Sequence, residues 1–213
     1  MISSLENGLM HKQNETNNMK SLFTMAVVAT LLAFKPSAKT ETFTIDTERS
    51  SIEWTASKVT GKHNGTVKLS AGSLLFNGNS LAGGAFTADM TSITVTDIQG
   101  DMSQKLIGHL KNDDFFAVDK HPSSQFKITK VSPAGTGQVN ITGDLTIKGI
   151  TQSVTFPAVV KRQGNAVVAV AKNVKIDRTK YDIKYRSNSF FGSLGDKAIE
   201  DEFLLSINLA AKK

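Results

Sequence analysis

The chain has 213 residues, 39% hydrophobic and 21% charged, with 25 Lys and Arg against 19 Asp and Glu for a net charge of +6. That apolar content supports a core, and the length suits one or two domains. The cations are scattered among acids without a run of five or six, which argues against a dedicated nucleic-acid surface, and the lack of cysteine excludes disulfides, thiol nucleophiles and thiolate metal sites.

Residues 1–18 are polar and Asn-rich, without an apolar period. Met19-Lys20 then opens onto an apolar run of 13 residues, Leu22 to Phe34, followed by Lys35-Pro36-Ser37-Ala38. A positive start, a short apolar stretch and small residues after it describe a secretory signal peptide, and the run is too short for a comfortable membrane span. We expect Met19 to be the true start, 1–38 to be an N-terminal extension plus signal peptide, and 39–213 to be a single domain in the periplasm or secreted. With no lipobox cysteine, no bacterial lipoprotein anchor is expected.

Strand signals then recur at short intervals. Thr42 to Asp46 alternates, and Ser51 to Val59 sets Ile52, Trp54 and Ala56 against Glu53, Thr55 and Ser57. Lys62-His63-Asn64-Gly65 reads as a hairpin turn, because Asn-Gly supplies positive φ. Thr66 to Leu69 and Ser73 to Phe76 follow as two strands parted by Ala71-Gly72, and Asn77-Gly78-Asn79 is the next turn. Ala85 to Met90 and Ser92 to Thr96 complete this half. Leu106, Ile107 and Leu110 form one apolar stripe and predict a helix over about 102–111, capped by Asp101 with Gln104 three residues on.

Beyond His121-Pro122 the strands lengthen: Gln125 to Val131, Gln138 to Ile147, Thr151 to Lys161, Asn165 to Ile176 and Glu202 to Leu209. Lys148-Gly149 and Gln163-Gly164-Asn165 turn two hairpins. Between the last two strands runs a polar and aromatic loop, Asp177 to Ile199, of the length that lids and binding loops have. Period-two patterning with frequent turns predicts an all-β antiparallel sandwich or barrel.

No catalytic constellation emerges. Nucleophile-elbow, Walker and dinucleotide fingerprints are missing, and His63, His109 and His121 lack metal-ligand spacing. The adjacent carboxylates of Asp113-Asp114 diverge and read as turn and solvation residues. We therefore expect no catalytic residue, no metal site and no cofactor. Phe115-Phe116 and Phe190-Phe191 fit either core and lid packing or the wall of an apolar ligand site. An eight-stranded barrel can be filled by side chains or hold one slim ligand. Ala56, Gly143, Ala158, Ala169 and Ala171 are small where a filled core would use Leu or Phe, which tilts the balance slightly toward a cavity.

Four segments carry a family resemblance. Gly108 to Lys127, GHLKNDDFFAVDKHPSSQFK, resembles the L-x-S-x-D-F-F-x-x-x-x-Y-P-x-x-x-F pattern of the YceI-like family. Gly143 to Gly149 is similar to its G-x-L-T-I-x-G hairpin, Ile176 to Tyr181 to its I-x-R-S-x-[FY], and Ile45-Asp46 with Ser51 to Trp54 to its opening motif. The resemblance covers Thr42 to Leu209. It implies an eight-stranded antiparallel lipocalin-like barrel with the short helix near one end. It also implies an exported binding protein that holds a polyisoprenoid or isoprenoid quinone-like amphiphile in a barrel tunnel. On that reading Trp54, Phe115, Phe116, Phe126, Leu145, Phe156, Phe190 and Phe191 line the site, and Arg178 and Tyr181 make its polar contacts. The partner is then an apolar small molecule, and a homodimer is expected by analogy with such barrels. The alternative is a ligand-free structural or stress-related periplasmic protein with a filled core.

Overall fold

Alternating residues of a strand face opposite ways, so a chain of amphipathic strands can bury all its apolar faces only by wrapping them around one interior. The computed structural model describes residues 39–213; the expected signal peptide, its Met19 start and its cleavage point lie outside them. The strands are β1 (Thr40–Ile45), β2 (Ser51–Lys58), β3 (Gly61–Asn77), β4 (Ser80–Asp89), β5 (Ser123–Pro133), β6 (Gln138–Ile147), β7 (Ile150–Gln163), β8 (Ala166–Asp177) and β9 (Ile199–Lys212). One α-helix among the described residues, α1 (Gly100–Lys111), lies between β4 and β5.

The nine segments fill eight positions of a closed antiparallel barrel, ordered β3-β2-β9-β8-β7-β6-β5-β4 and back to β3. β1 and β2 share one position. β1 pairs with the C-terminal part of β3, Ser73 to Asn77, and β2 with its N-terminal part, Gly61 to Val67. Both also pair with β9. Ser50 bridges the break: its hydroxyl donates to the Asp46 carbonyl at 2.7 Å and accepts from the Ala210 N–H at 3.0 Å.

Two ends result. At the end away from α1, Arg162 of β7 stacks over the Phe43 ring at 4.8 Å and donates to Glu41 at 2.9 Å and to the Gly78 carbonyl. Lys213 reaches the same Glu41 carboxylate at 2.8 Å. Phe43, Leu74, Phe76 and Val167 beneath are inaccessible or nearly so, each contributing roughly 1.5–3 kcal/mol by burial. At the other end lie α1, the turn that follows it and the loop between β8 and β9.

Four local expectations are corrected. Asn64-Gly65 lies inside β3, and the turn is at Val59-Thr60 because Lys58 pairs with Gly61. Gly65 serves close approach: a Cβ there would collide with the Thr94 carbonyl and come within 2.8 Å of the Trp54 ring. Ala71-Gly72 bends β3 at an irregular register without breaking it, and Ser92–Thr96 is no separate strand. Instead a 3-10 turn, Met90–Ser92, leads into a segment that bonds to β3 through Thr94 N–H to Thr66 and Thr96 N–H to Asn64. Finally, α1 starts two residues earlier than expected. Gln99 occupies its N-cap without a side-chain bond, so Asp101 is a first-turn acid and not the cap.

Candidate functional site

The inward faces of the α1 half do not meet, and they leave a cavity of about 130 Å³. Its wall is almost wholly apolar. Ile52, Trp54 and Ala56 come from β2, and Phe203, Leu205 and Ile207 from β9, each set two residues apart so that one face looks inward. At the α1 end Leu110, Phe115 and Phe116 join the wall, since the turn Asn112–Phe116 folds back to place Phe116 N–H on the Leu110 carbonyl at 3.1 Å. The helix stripe thus docks on the barrel as its periodicity indicates. Leu110 is buried, and Leu106 and Ile107 pack against the core.

Trp54, Phe115, Phe116, Phe126, Leu145, Phe156 and Arg178 all lie on this wall. The Trp54 indole N–H donates to the Thr94 carbonyl at 3.1 Å, so the ring alone is offered to the interior. Three expected site residues lie elsewhere. Phe190 and Phe191 are 50% and 51% exposed on the outer surface of the β8–β9 loop, with Lys184 over the Phe190 ring. The loop is folded by a different anchor, so its aromatics are not drawn inward. Tyr181 is buried off the cavity in the 3-10 turn Arg178–Tyr181, and its hydroxyl has no hydrogen-bond partner among the described residues. Burial, with the nearby Asp177 charge, pushes its pKa up to about 12.

That anchor is Arg178, which the sequence suggested as a head-group contact. Its Nε donates to the Glu200 carbonyl at 2.9 Å. Nη1 donates to the Ile183 and Tyr185 carbonyls at 2.8 and 3.0 Å, and Nη2 to the Ile199 carbonyl at 2.9 Å with Asp201 at 3.5 Å. A guanidinium has five N–H donors, and all five are spent on the loop and the start of β9. Burial lowers the Arg178 pKa, against Asp201 and Asp177, which favour the charged form. Burial would likewise raise the Asp201 carboxyl, but hydrogen bonds from Ser187 and Ser189 and the Arg178 charge outweigh it and hold it below the usual range. Arg178 is a loop-organising residue here, not a free polar contact.

Of the five small residues singled out in the sequence, only Ala56 lies on the main cavity. Ala158, Ala169 and Ala171 line a second void of about 30 Å³ toward the far end. Gly143 marks no space: a Cβ there would strike the Phe126 ring and come 2.6 Å from the Lys127 carbonyl. The sequence reading missed Phe86 and Ser124, both on the cavity wall. The Ser124 hydroxyl is buried without a partner among the described residues. Its period-two relation to Phe126 was the available signal, since both share one face of β5. The paired acids and histidines have ordinary partners: Asp113 with Lys120 at 2.6 Å, Asp114 with His109 at 3.4 Å, and His63 with Asp97 at 2.7 Å.

A closed antiparallel barrel enclosing an apolar cavity is the architecture of the small-ligand-holding β-barrels. Residues 43–211 match the YceI-like domain, and the chain belongs to that family. It is similar to a UPF0312 protein of Vibrio parahaemolyticus, 39% identical over 57 residues, covering 27% of this chain and 30% of the relative. A UPF0312 protein of Pseudomonas paraeruginosa is 35% identical over 80 residues, covering 37% and 41%. The chain therefore spans well under half the length of these curated relatives. Among solved structures, Burkholderia cenocepacia BcnA superposes with a TM-score of 0.65 at 22% identity, over 79% of this chain and 99% of that one. A polyisoprenoid binding domain from Saccharophagus degradans superposes at 0.58 and 13% identity, over 80% and 97%. These likenesses establish the shared fold.

Proposed function

We propose that this protein is an exported binding protein that holds the apolar chain of an isoprenoid or similar amphiphile inside its barrel. The observation that carries the reading is the cavity of about 130 Å³ with its apolar wall in the α1 half. Each methylene taken from water into such a site is worth about 0.8 kcal/mol, so a hydrocarbon tail is the ligand class the wall rewards. The fold shared with a domain described as polyisoprenoid-binding supports the same class. The buried, unpartnered Ser124 hydroxyl adds a place for one ligand oxygen. The signal-like Met19 to Ala38 stretch supports export.

Organic extraction of the purified protein followed by mass spectrometry tests the binding, and cell fractionation tests the export. A co-purifying prenyl or fatty compound, or uptake of farnesol and geranylgeraniol by the emptied protein, is expected. A protein that carries no lipid and takes up neither alcohol is the filled-core structural protein instead.

A further inference from the structure

β5 offers Ser124, Phe126 and Ile128 to the interior in succession, all three buried. Ser124 lies on the main cavity and not on the far void, and Ile128 on the far void and not on the main cavity. Phe126 lies on both. The other residues common to the two walls are Phe86 of β4, Phe156 of β7 and Ile207 of β9. β4, β5 and β7 thus contribute one ring each at a single level of the barrel, with β6 between the last two. Phe126 sits between its neighbours, with centroids 5.3 Å from Phe86 and 5.5 Å from Phe156, tilted by 40° and 42°.

The surroundings are cut to fit this row. β6 carries Gly143 where any side chain would displace the Phe126 ring. Beyond the row the wall falls back to Ala158, Ala169 and Ala171, which leaves the void of about 30 Å³. On the α1 side the cavity of about 130 Å³ is close to an engineered apolar cavity of roughly 150 Å³ that admits benzene. An apolar chain there meets the aromatic row after only a short run. Unused space lies directly behind it.

We propose that the Phe86–Phe126–Phe156 row is a length-determining partition: it stops an apolar chain held in the α1-side cavity, and opening it admits the chain into the alanine-lined compartment. The inference rests on the reading that the barrel holds an apolar chain, and it assigns Phe126 as the residue that sets how much of that chain is buried.

The test uses the full chain and two ligand series, straight-chain 1-alkanols of increasing length and prenols of increasing unit number, with Kd read by displacement of a fluorescent apolar probe. At ~0.8 kcal/mol per methylene, affinity rises about fourfold per CH₂ while the chain is still being buried, and stops rising at the partition. Wild type shows that break at one length, and Phe126→Ala moves it to longer chains. Phe126→Leu, which keeps most of the core filled, moves it less; it is the decisive variant if alanine unfolds the barrel, as judged by thermal melting. Adding Ala169→Leu to the opened variant returns the break toward the wild-type length. A break at the same length in wild type and in folded Phe126 variants, or no break in wild type, overturns the partition and leaves the binding reading standing. Wild type that binds no member of either series overturns both.

Discussion

Replacing Arg178 separates an anchor from a ligand contact. Its side chain is 5% exposed, and its five N–H groups hold the carbonyls of Ile183, Tyr185, Ile199 and Glu200 together with Asp201. Arg178→Met removes every donor at once and leaves the Asp201 carboxylate without its cation. Bonds from a charged donor are worth about 1.5–3 kcal/mol each, but they do not add, because a loosened loop rehydrates its carbonyls. The cost of breaking a buried ion pair, about 3–5 kcal/mol, is the better guide. For a domain of this size that lowers Tm by roughly 6–20 °C. Circular dichroism melts give Tm, and hydrogen exchange should show loss of protection concentrated in 183–201. Arg178→Lys offers three donors from one point and cannot span four carbonyls, so it rescues only part of the loss. A variant that melts within about 2 °C of wild type, with unchanged exchange but abolished ligand uptake, would refute the anchor and restore Arg178 as a head-group contact.

Tyr181→Phe deletes a buried hydroxyl that has no partner; stability should change by less than about 1 kcal/mol or improve, and ligand uptake should be unaffected, both read by melting and titration. Glu41 has its pKa held down at about 2 by hydrogen bonds from Lys213 and Arg162, below its ordinary 4.5. A depressed carboxyl stabilises the fold above the unfolded value and loses that contribution as pH falls, so exchange at Thr40–Ile45 should rise between pH 4.5 and about 2 in wild type. Glu41→Gln should flatten that profile; a rise of equal size in both proteins would contradict the assignment. Ala88→Leu projects into the main cavity and should block uptake while changing stability by less than about 1.5 kcal/mol. Ala169→Phe overfills a void of about 30 Å³ and should cost roughly 1–3 kcal/mol whether or not a ligand binds. Finally, stripping lipid with solvent should lower Tm, and adding farnesol back should restore it in proportion to concentration; identical melts with and without farnesol would count against occupancy.

The strands were legible because one face of each had to be buried, so period two survived in the sequence from Ile52 to Trp54 to Ala56 and from Phe203 to Leu209. Turns were legible where positive φ was the demand: Gly78 at 59°, Lys148 and Gly149 at 53° and 75°, and Gly164 at 56°. Asn64-Gly65 carried the same letters for another reason. There glycine makes room for the Thr94 carbonyl and the Trp54 ring, and one strand cannot announce what will cross it. The same limit separates the two phenylalanine pairs. Phe115-Phe116 follows a helix whose apolar stripe fixes which way it docks. Phe190-Phe191 stands in irregular backbone, where no period assigns a face. Arg178 was visible as a motif residue, but its role depends on carbonyls up to 22 residues away brought near by the β8–β9 pairing. The paired voids were least legible of all, because Gly143 and the three alanines look alike in sequence. Only the ring of Phe126 decides that one position is filled and the others are not.

The distribution of packing argues that the cavity is kept rather than left over. At about 24 cal/mol per Å³ of unfilled space, a cavity of about 130 Å³ forgoes roughly 3 kcal/mol, a large part of the 5–15 kcal/mol by which domains usually hold together. The far half of the same barrel leaves only the void of about 30 Å³, with Phe43 against Phe76 at 5.2 Å and Arg162 stacked across both rings. A chain able to pack one half that closely has the means to fill the other: Ala56 and Ala88 stand on the cavity wall where larger residues would close it. Filling would remove most of the interior space that the proposed apolar ligand would occupy. The lost stability is recoverable by occupancy, since a ligand that binds only the folded barrel adds RT ln(1 + [L]/Kd) to its stability. An aromatic row that keeps most of the empty space at one end would serve both demands of the proposed function, with a close-packed half to hold the fold and an open half for the chain.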